Sequence, residues 1–462
     1  MTTPRTTRSH IPTPGALSLT SPRAVSDLTW LGWWNSASVE VLWALSGAPD
    51  ADLALNSLYR LMVALDEHQG NHDDIDHAIR TDPVFRVRLF ALLGASSVLG
   101  DHLIANPTTW HLLRHDAPTR SNMLRELLGC IGAAPAGLVG DTATDTLDNV
   151  GTYRAAGTGT TCTTIETTLK QTYRTLLMRI AAIDLAGTYP ENSRRVGQPE
   201  VPLGTVTAQL ADLADAALTA ALAVAIRHVY GDNPVESQLA VIAMGKCGAR
   251  ELNYISDVDV VFVAEPADAA ATRVASELIR LGSRCFFEVD AALRPEGKHG
   301  ALVRTLESHV TYYRRWAETW EFQALLKHRP MTGYLPLGRA YSDVISPLVW
   351  QASQRDSFVA DVQAMRRRVL ENVPEAMKHR ELKLGEGGLR DVEFAVQLLQ
   401  LVHGRYDETL RTPATIDALA ALIESGYVGR EDGANLIECY EFLRSLEHRL
   451  QLQKVKRTHT LP

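Results

Sequence analysis

From about Trp30 to Leu128 apolar residues recur at three- and four-residue intervals, as in Leu55, Leu58, Leu61, Met62 and Leu65. That spacing lines one face of an α-helix and predicts a helical domain, with Trp33 and Trp34 packed inside it. Between Ala133 and Thr164 the pattern dissolves into Gly, Thr, Ala and Asp, the composition of a long loop or flexible insertion. Periodicity resumes from about Glu166 to Ala186, where Tyr173, Leu176, Leu177, Ile180 and Ile183 share a face and Gly187 is the expected stop. An Ala-rich helix follows from about Val206 to Tyr230. The period then becomes strand-like: Leu239 to Met244, Asp257 to Val263 and Arg284 to Asp290 read as strands, with a helix from Thr272 to Leu281. Beyond Leu306 the helical spacing returns in Glu307 to Leu326, Asp356 to Asn372, Gly388 to His403, Thr415 to Ser425 and Arg430 to Gln453. Strands are thus expected only in the middle of the chain. The pattern predicts an α+β, predominantly helical protein: a disordered tail over 1–24, an N-terminal helical domain over 25–198 with a flexible loop near 133–164, an α/β core over 199–335 and a C-terminal helical domain over 336–462. There is no internal repeat.

Composition narrows the functional classes. At 462 residues the chain exceeds one ordinary core. A net charge of −8 argues against a general nucleic-acid binder. The apolar run Ala216 to Ile226 is far shorter than the roughly 20 residues that span a bilayer, so no membrane role is expected. Cys130, Cys162, Cys247, Cys285 and Cys439 lack the spacing of a zinc site or disulfide framework, and the amino-terminal residues lack the apolar stretch of a secretory signal. Both point to a soluble protein of the reducing cytoplasm.

The chemistry concentrates between Leu239 and Phe262. On an extended strand Asp257 and Asp259 face one way while Val258, Val260 and Phe262 face the other. Two carboxylates about 6 to 7 Å apart repel unless a cation sits between them, and oxygen-only ligands suit Mg²⁺. Just before them, Gly245 and Gly248 allow close backbone approach to a phosphate and Lys246 can meet its charge, although the spacing is neither that of a P-loop nor of a dinucleotide-binding turn. Asp290 ends a strand that can lie beside Asp257 and complete a carboxylate triad. Among the basic residues that follow, Arg294 is the first candidate for a phosphate contact. Gly385-Glu386-Gly387-Gly388-Leu389-Arg390-Asp391 opens a helix at a glycine-rich turn, a second place for an anion and for Arg390. The histidines show no ligand spacing.

In sequence order these motifs resemble the glutamine synthetase adenylyltransferase/adenylyl-removing enzyme family. The likeness is carried by Gly245-Lys246-x-Gly248-x-x-Glu251-Leu252-Asn253-x-x-Ser256-Asp257-x-Asp259 and by Val289-Asp290-x-x-Leu293-Arg294-Pro295. It continues in Trp320-Glu321-x-Gln323-Ala324-Leu325-Leu326-Lys327, Gly387-Gly388-Leu389-Arg390-Asp391-Val392-Glu393-Phe394 and Glu447-His448-Arg449-Leu450-Gln451. The resemblance implies a polymerase β-like nucleotidyltransferase core flanked by helical domains. It also implies Mg²⁺, with Mn²⁺ as an alternative, on Asp257, Asp259 and Asp290, and phosphate or nucleotide on Gly245, Lys246, Gly248, Ser256, Arg294 and Arg390. Members resemble two such halves in tandem. This chain, with its tail, helical domain and single core, is expected to be the N-terminal, adenylyl-removing half, with the adenylyltransferase half missing.

The implied reaction is phosphorolysis of adenylyl-tyrosine on glutamine synthetase, giving ADP, with glutamine synthetase and the PII signalling protein as expected partners. Phe322, His328 and Ala292 depart from the family pattern, and no site role is carried to them. Three alternatives share these motifs. One is adenylylation of the synthetase from ATP, a second is a non-catalytic module that binds PII or the synthetase, and a third is a nitrogen-signalling uridylyltransferase, against which the Gly-Gly-Leu-Arg-Asp-Val-Glu-Phe block is expected to speak.

Overall fold

The structure, a computed structural model, describes residues 11–135, 152–157, 162–188, 196–197, 199–355, 357–371 and 373–461. The chain is mostly helical with a small mixed sheet. Its contacts gather into two units: Met1–Pro118, Arg174–Pro202 and Leu452–Lys456 form the first, and Thr119–Tyr173, Leu203–Gln451 and Arg457–Pro462 the second. The segments expected as core (199–335) and C-terminal helical domain (336–462) fall together in the second unit, apart from Leu452–Lys456.

The first unit stacks short helices whose starts are written locally. Asp50 caps Ala51–Gln69, Asp82 followed by Pro83 caps Pro83–Ala95, and Ser96 caps Ser97–Ala105, each accepting a backbone N–H three residues on. Leu55, Leu58, Leu61, Met62, Leu65, Phe85 and Phe90 are buried in its core, as the periodicity predicts, and so is Trp33, whose indole N–H reaches Asp76 at 2.6 Å. The expected disordered tail requires correction over 11–24. Leu17 and Leu19 are buried and the Thr20 and Ser21 amides bond the Asp52 carboxylate, while residues 1–10 lie outside the described residues.

The second unit holds both sheets. β1 (Ala134–Pro135) and β2 (Tyr153–Arg154) form a small antiparallel pair where a loop was expected, and the rest of that predicted loop lies largely outside the described residues. The main sheet comprises β3 (Gln238–Ala243), β4 (Val258–Glu265), β5 (Val289–Asp290), β6 (Val303–Arg304) and β7 (Arg329–Gly333). β3 lies antiparallel between β4 and β7, and the two short strands β5 and β6 pair in parallel with different stretches of β4. One face packs on α1 (Leu203–Tyr230), where Thr219 Oγ1 donates to Thr332 Oγ1 at 2.8 Å. Although α1 is long and apolar enough to cross a membrane, 94% of its apolar window is buried within the chain. On the other face Ala240, Ile242, Val261 and Val263 join Tyr313, Phe322, Leu325, Tyr341 and Ile345 in one core.

Several predicted boundaries move. The strand expected from Arg284 shrinks to Val289–Asp290, because the helix Ala269–Cys285 runs on to bury Leu281 and Cys285. The single helix expected over Glu307 to Leu326 is two, Leu306–Arg315 and Thr319–Leu325; Glu318 and Glu321 form a capping box that restarts the chain as a new helix. Strand β7 and the helix Leu335–Gln351 were not anticipated. Pro330 and Pro347 mask them, since proline reads as a breaker in both element types.

Candidate functional site

The site begins where β3 ends. Gly245–Gly248, read from the sequence as a turn, is one turn of helix, α2, which brings the chain back beside β4. Gly245 sits in the left-handed region at φ 54°, and a Cβ there would lie 2.8 Å from Asp259 Oδ2, so only glycine fits. Gly248 serves a different contact: a Cβ would drive into the Lys327 carbonyl, and Gly248 packs against backbone rather than facing the cavity.

Register places the carboxylates. The parallel pairing of β4 with β5 sets Val258 opposite Val289 and Asp259 opposite Asp290, so these two acids are neighbours on adjacent strands. Burial pushes the Asp259 carboxyl up to about 6, and the negative charges of Asp290 and Asp257 add to the rise. Asp257 receives Arg457 Nη1 on Oδ1 at 2.6 Å.

The loop that carries Asp257 is anchored along its length. Glu251 accepts from Lys327 Nζ at 2.7 Å and from the Thr415 amide at 2.5 Å, all within the protein interior. Arg444 Nη2, on α3 (Arg430–Lys454), donates to the Glu251 carbonyl and to Asn253 Oδ1, both at 2.7 Å. On the same helix His448 meets the Tyr254 ring edge-on at 5.2 Å and Gln451 Oε1 accepts from the Ile255 amide at 3.0 Å. Each of these bonds satisfies a polar group that folding takes out of water.

These elements enclose a cavity of about 320 Å³. Asp257 and Asp259 contribute carboxylates; Lys246, Lys383, Arg390 and Arg457 contribute cations; Trp320, Leu293 and Phe394 contribute apolar surface. Lys246 Nζ lies 3.7 Å from Glu447 Oε2, and burial lowers its ammonium to about 7 in spite of that carboxylate. Burial alone would raise Glu447, but Lys246, the His459 ring at 2.6 Å and Arg444 hold it well below the usual carboxylate range. Glu393, 3.1 Å from Arg390, is likewise held down to about 2 against its burial by Arg390, Lys246, Lys327 and Lys383.

Of the residues singled out from sequence, Gly245, Lys246, Ser256, Asp257, Asp259 and Arg390 line this cavity, and Asp290 stands beside Asp259 through strand pairing. Gly248 does not line it, and neither does Arg294. The Arg294 guanidinium is spent on the carbonyls of Ala291, Lys298 and Gly300 at 2.8 to 3.1 Å, where it knits the 291–300 loop. Lys383, Arg457 and Trp320 were missed as cavity residues. Trp320 lay within a quoted motif, and Lys383 only two residues before the glycine-rich block.

Among the described residues no group of three or more His, Cys, Asp or Glu side chains is closed enough to hold a metal by itself. Mg²⁺ seldom needs such a cage: it takes one or two carboxylates and completes its shell with water and substrate phosphate oxygens. The paired Asp259 and Asp290, oxygen-only and mutually repelling, fit that donor set.

Residues 160–342 match the profile of the family described as glutamate-ammonia ligase adenylyltransferase, and residues 363–462 match that of GlnD PII-uridylyltransferase. The second match contains the Gly-Gly-Leu-Arg-Asp-Val-Glu-Phe block, so that block does not speak against a uridylyltransferase as expected. Over 98% of its length the chain is 62% identical to a bifunctional glutamine synthetase adenylyltransferase/adenylyl-removing enzyme of Corynebacterium efficiens, of which it covers 44%. It is 64% identical, again over 98% of the chain, to the protein of the same description from Corynebacterium glutamicum, covering 44% of that protein. The chain thus spans under half the length of the curated relatives it matches, while its similarity to them runs through almost all of its own residues.

Proposed function

We propose that this chain removes AMP from an adenylylated tyrosine of glutamine synthetase by phosphorolysis, releasing ADP and the unmodified synthetase. The observation that supports this most is that one cavity brings together two carboxylates, Asp257 and Asp259, a cationic set, Lys246, Lys383 and Arg390, and the apolar Trp320. Bringing a phosphate anion up to an adenylyl phosphorus joins two like charges. The cations needed for the second anion are the part of the site that favours removal over addition.

Asp259 and Asp290, with Asp257, would hold Mg²⁺ or Mn²⁺, which when bound offsets charge on the phosphorus oxygens and the departing tyrosyl oxygen. A phenol has a pKa of about 10, so it leaves far more readily than an aliphatic alkoxide. Arg390, held by Glu393, orients an anion, and the anchored 251–257 loop keeps Asp257 in place. The match of 363–462 to a PII-uridylyltransferase supports the PII signalling protein as a second partner, and a cytoplasmic location belongs to the same reading.

The test is an incubation of the chain with adenylylated synthetase, Mg²⁺ and phosphate. ADP should form only when phosphate is present; AMP transfer from ATP to unmodified synthetase, without phosphate-dependent ADP, would overturn the proposal in favour of the adding direction. Asp257→Asn should abolish turnover while shifting the unfolding midpoint little, because its partner Arg457 is half-exposed.

A further inference from the structure

Five lysines and arginines line the cavity, and four have a carboxylate partner: Lys246 faces Glu447, Lys327 pairs with Glu251, Arg390 with Glu393 and Arg457 with Asp257. The fifth, Lys383, does not. Among the described residues no hydrogen bond or ion pair engages its ammonium, which is half-buried and feels the charges of Arg390, Glu393 and Glu447 only from beyond ion-pair distance.

Its backbone, by contrast, is fixed on every side. Glu381 Oε1 accepts from the amides of Lys383 and Leu384 at 3.0 and 3.2 Å, and the Arg390 amide donates to the Lys383 carbonyl at 2.9 Å. Leu382 N reaches the His459 carbonyl at 2.7 Å, and Arg366 braces the carbonyls of Leu384 and Gly385 at 3.2 and 3.1 Å. An ammonium held partly out of water with no carboxylate in contact is costly unless a ligand completes it. Here the chain holds one rigidly beside a guanidinium, on the lining of the cavity and within electrostatic reach of Asp259.

We infer that Lys383, together with Arg390, forms the subsite for the attacking oxyanion, a phosphate dianion. The inference deepens the phosphorolytic reading and rests on it for the identity of the nucleophile. In that step a phosphate oxygen forms the new bond to the adenylyl phosphorus and the bond to the tyrosyl oxygen breaks, the electron pair leaving with that oxygen. The proton carried by hydrogen phosphate ends on the tyrosyl oxygen, so ADP and tyrosine are the balanced products. Lys383 takes no part in that proton transfer and acts through charge and position. Arg294, the sequence's first choice for this role, is replaced by a residue roughly ninety positions further on.

Two measurements on the full chain decide it. Lys383→Met should raise the KM for phosphate roughly tenfold or more, the scale of one lost charge-assisted hydrogen bond, with little change in the KM for adenylylated synthetase, and Lys383→Arg should recover most of the loss. A phosphate KM left unchanged in a folded Lys383→Met protein that still turns over would overturn the inference. Independently, inorganic phosphate should slow acylation of the Lys383 amine in the wild-type protein, read by peptide mass spectrometry, and modification indifferent to phosphate would overturn it even if the variant fails to fold. Protection by phosphate without any ADP formation would instead uphold the oxyanion subsite and sink the phosphorolytic reading.

Discussion

The core of the first unit and the interior behind the cavity are held together by different means. In the first, leucines, Met62, Phe85 and Phe90 interdigitate around a few buried polar groups, among them Arg86 and Arg88, which donate to the carbonyls of Ile79 and Leu113. Behind the cavity, Glu251, Lys327, Thr415, Arg444, Glu447 and Gln451 are all buried, and the contacts that fix the 251–257 loop are hydrogen bonds and ion pairs. Apolar packing is tolerant: side chains of similar volume replace one another at modest cost. A buried charged network is not, because each member left alone carries its full desolvation penalty. The second unit accepts that vulnerability at the place where a carboxylate must be held still.

The sharpest way to break the comparison is Lys327→Met. It leaves Glu251 buried with one cation fewer and should cost about 3–5 kcal/mol in denaturant unfolding, of which the double variant with Glu251→Gln should recover a large part. A loss no bigger than that of a surface substitution, or no recovery in the double variant, would show that the network is not what fixes the loop. Next, Leu58→Ala, fully buried in the first unit, should cost about 2–5 kcal/mol through lost contact and a residual cavity, whereas Leu58→Met should cost under about 1.5 kcal/mol. An equally damaging methionine would mean that the apolar core is as exacting as the polar one.

The smallest effect is a pH dependence. Burial lowers the His102 imidazole to about 4, with the Arg174 charge adding to it, and Nε2 lies 3.0 Å from Thr175 Oγ1. The group is neutral when folded but takes a proton at about 6.5 when unfolded, so the unfolded state binds more protons between those values. Stability should therefore fall as pH drops from about 6.5 towards 4, by up to about 1.4 kcal/mol per pH unit for this one group. His102→Gln should flatten that slope in the first unit only. His309, lowered to about 4 by burial in the second unit, should leave its own slope intact, and melting curves at pH 6.5 and 5 compare the two.

The parts legible in the sequence were those written over short distances. Strand-like runs placed β3 and β4, three- and four-residue spacing marked the first unit as helical, and Asp259 and Asp290 become neighbours once β4 and β5 pair. Convergence over long separations was not legible. Lys383 and Arg457 reach the cavity from 126 and 200 residues beyond Asp257, and nothing in their immediate surroundings separates them from solvated charges. Proximity also misled: Arg294 follows Asp290 closely, yet three loop carbonyls claim its guanidinium. Pro330 and Pro347 hid a strand and a helix because tertiary packing overrides a local breaker at a strand's start or on a helix's open side.

The Glu251 and Arg444 contacts also bear on how such a protein is inherited. Their members are drawn from positions 251, 253, 327, 415 and 444, so partners fixed in space are far apart in the gene. A recombination breakpoint anywhere in that interval between diverged copies would join a loop from one parent to a clamp from the other, and a single mismatch there strands a charge in the interior. The interval is expected to pass between lineages as a block, whereas the apolar helices of the first unit can be exchanged piecemeal.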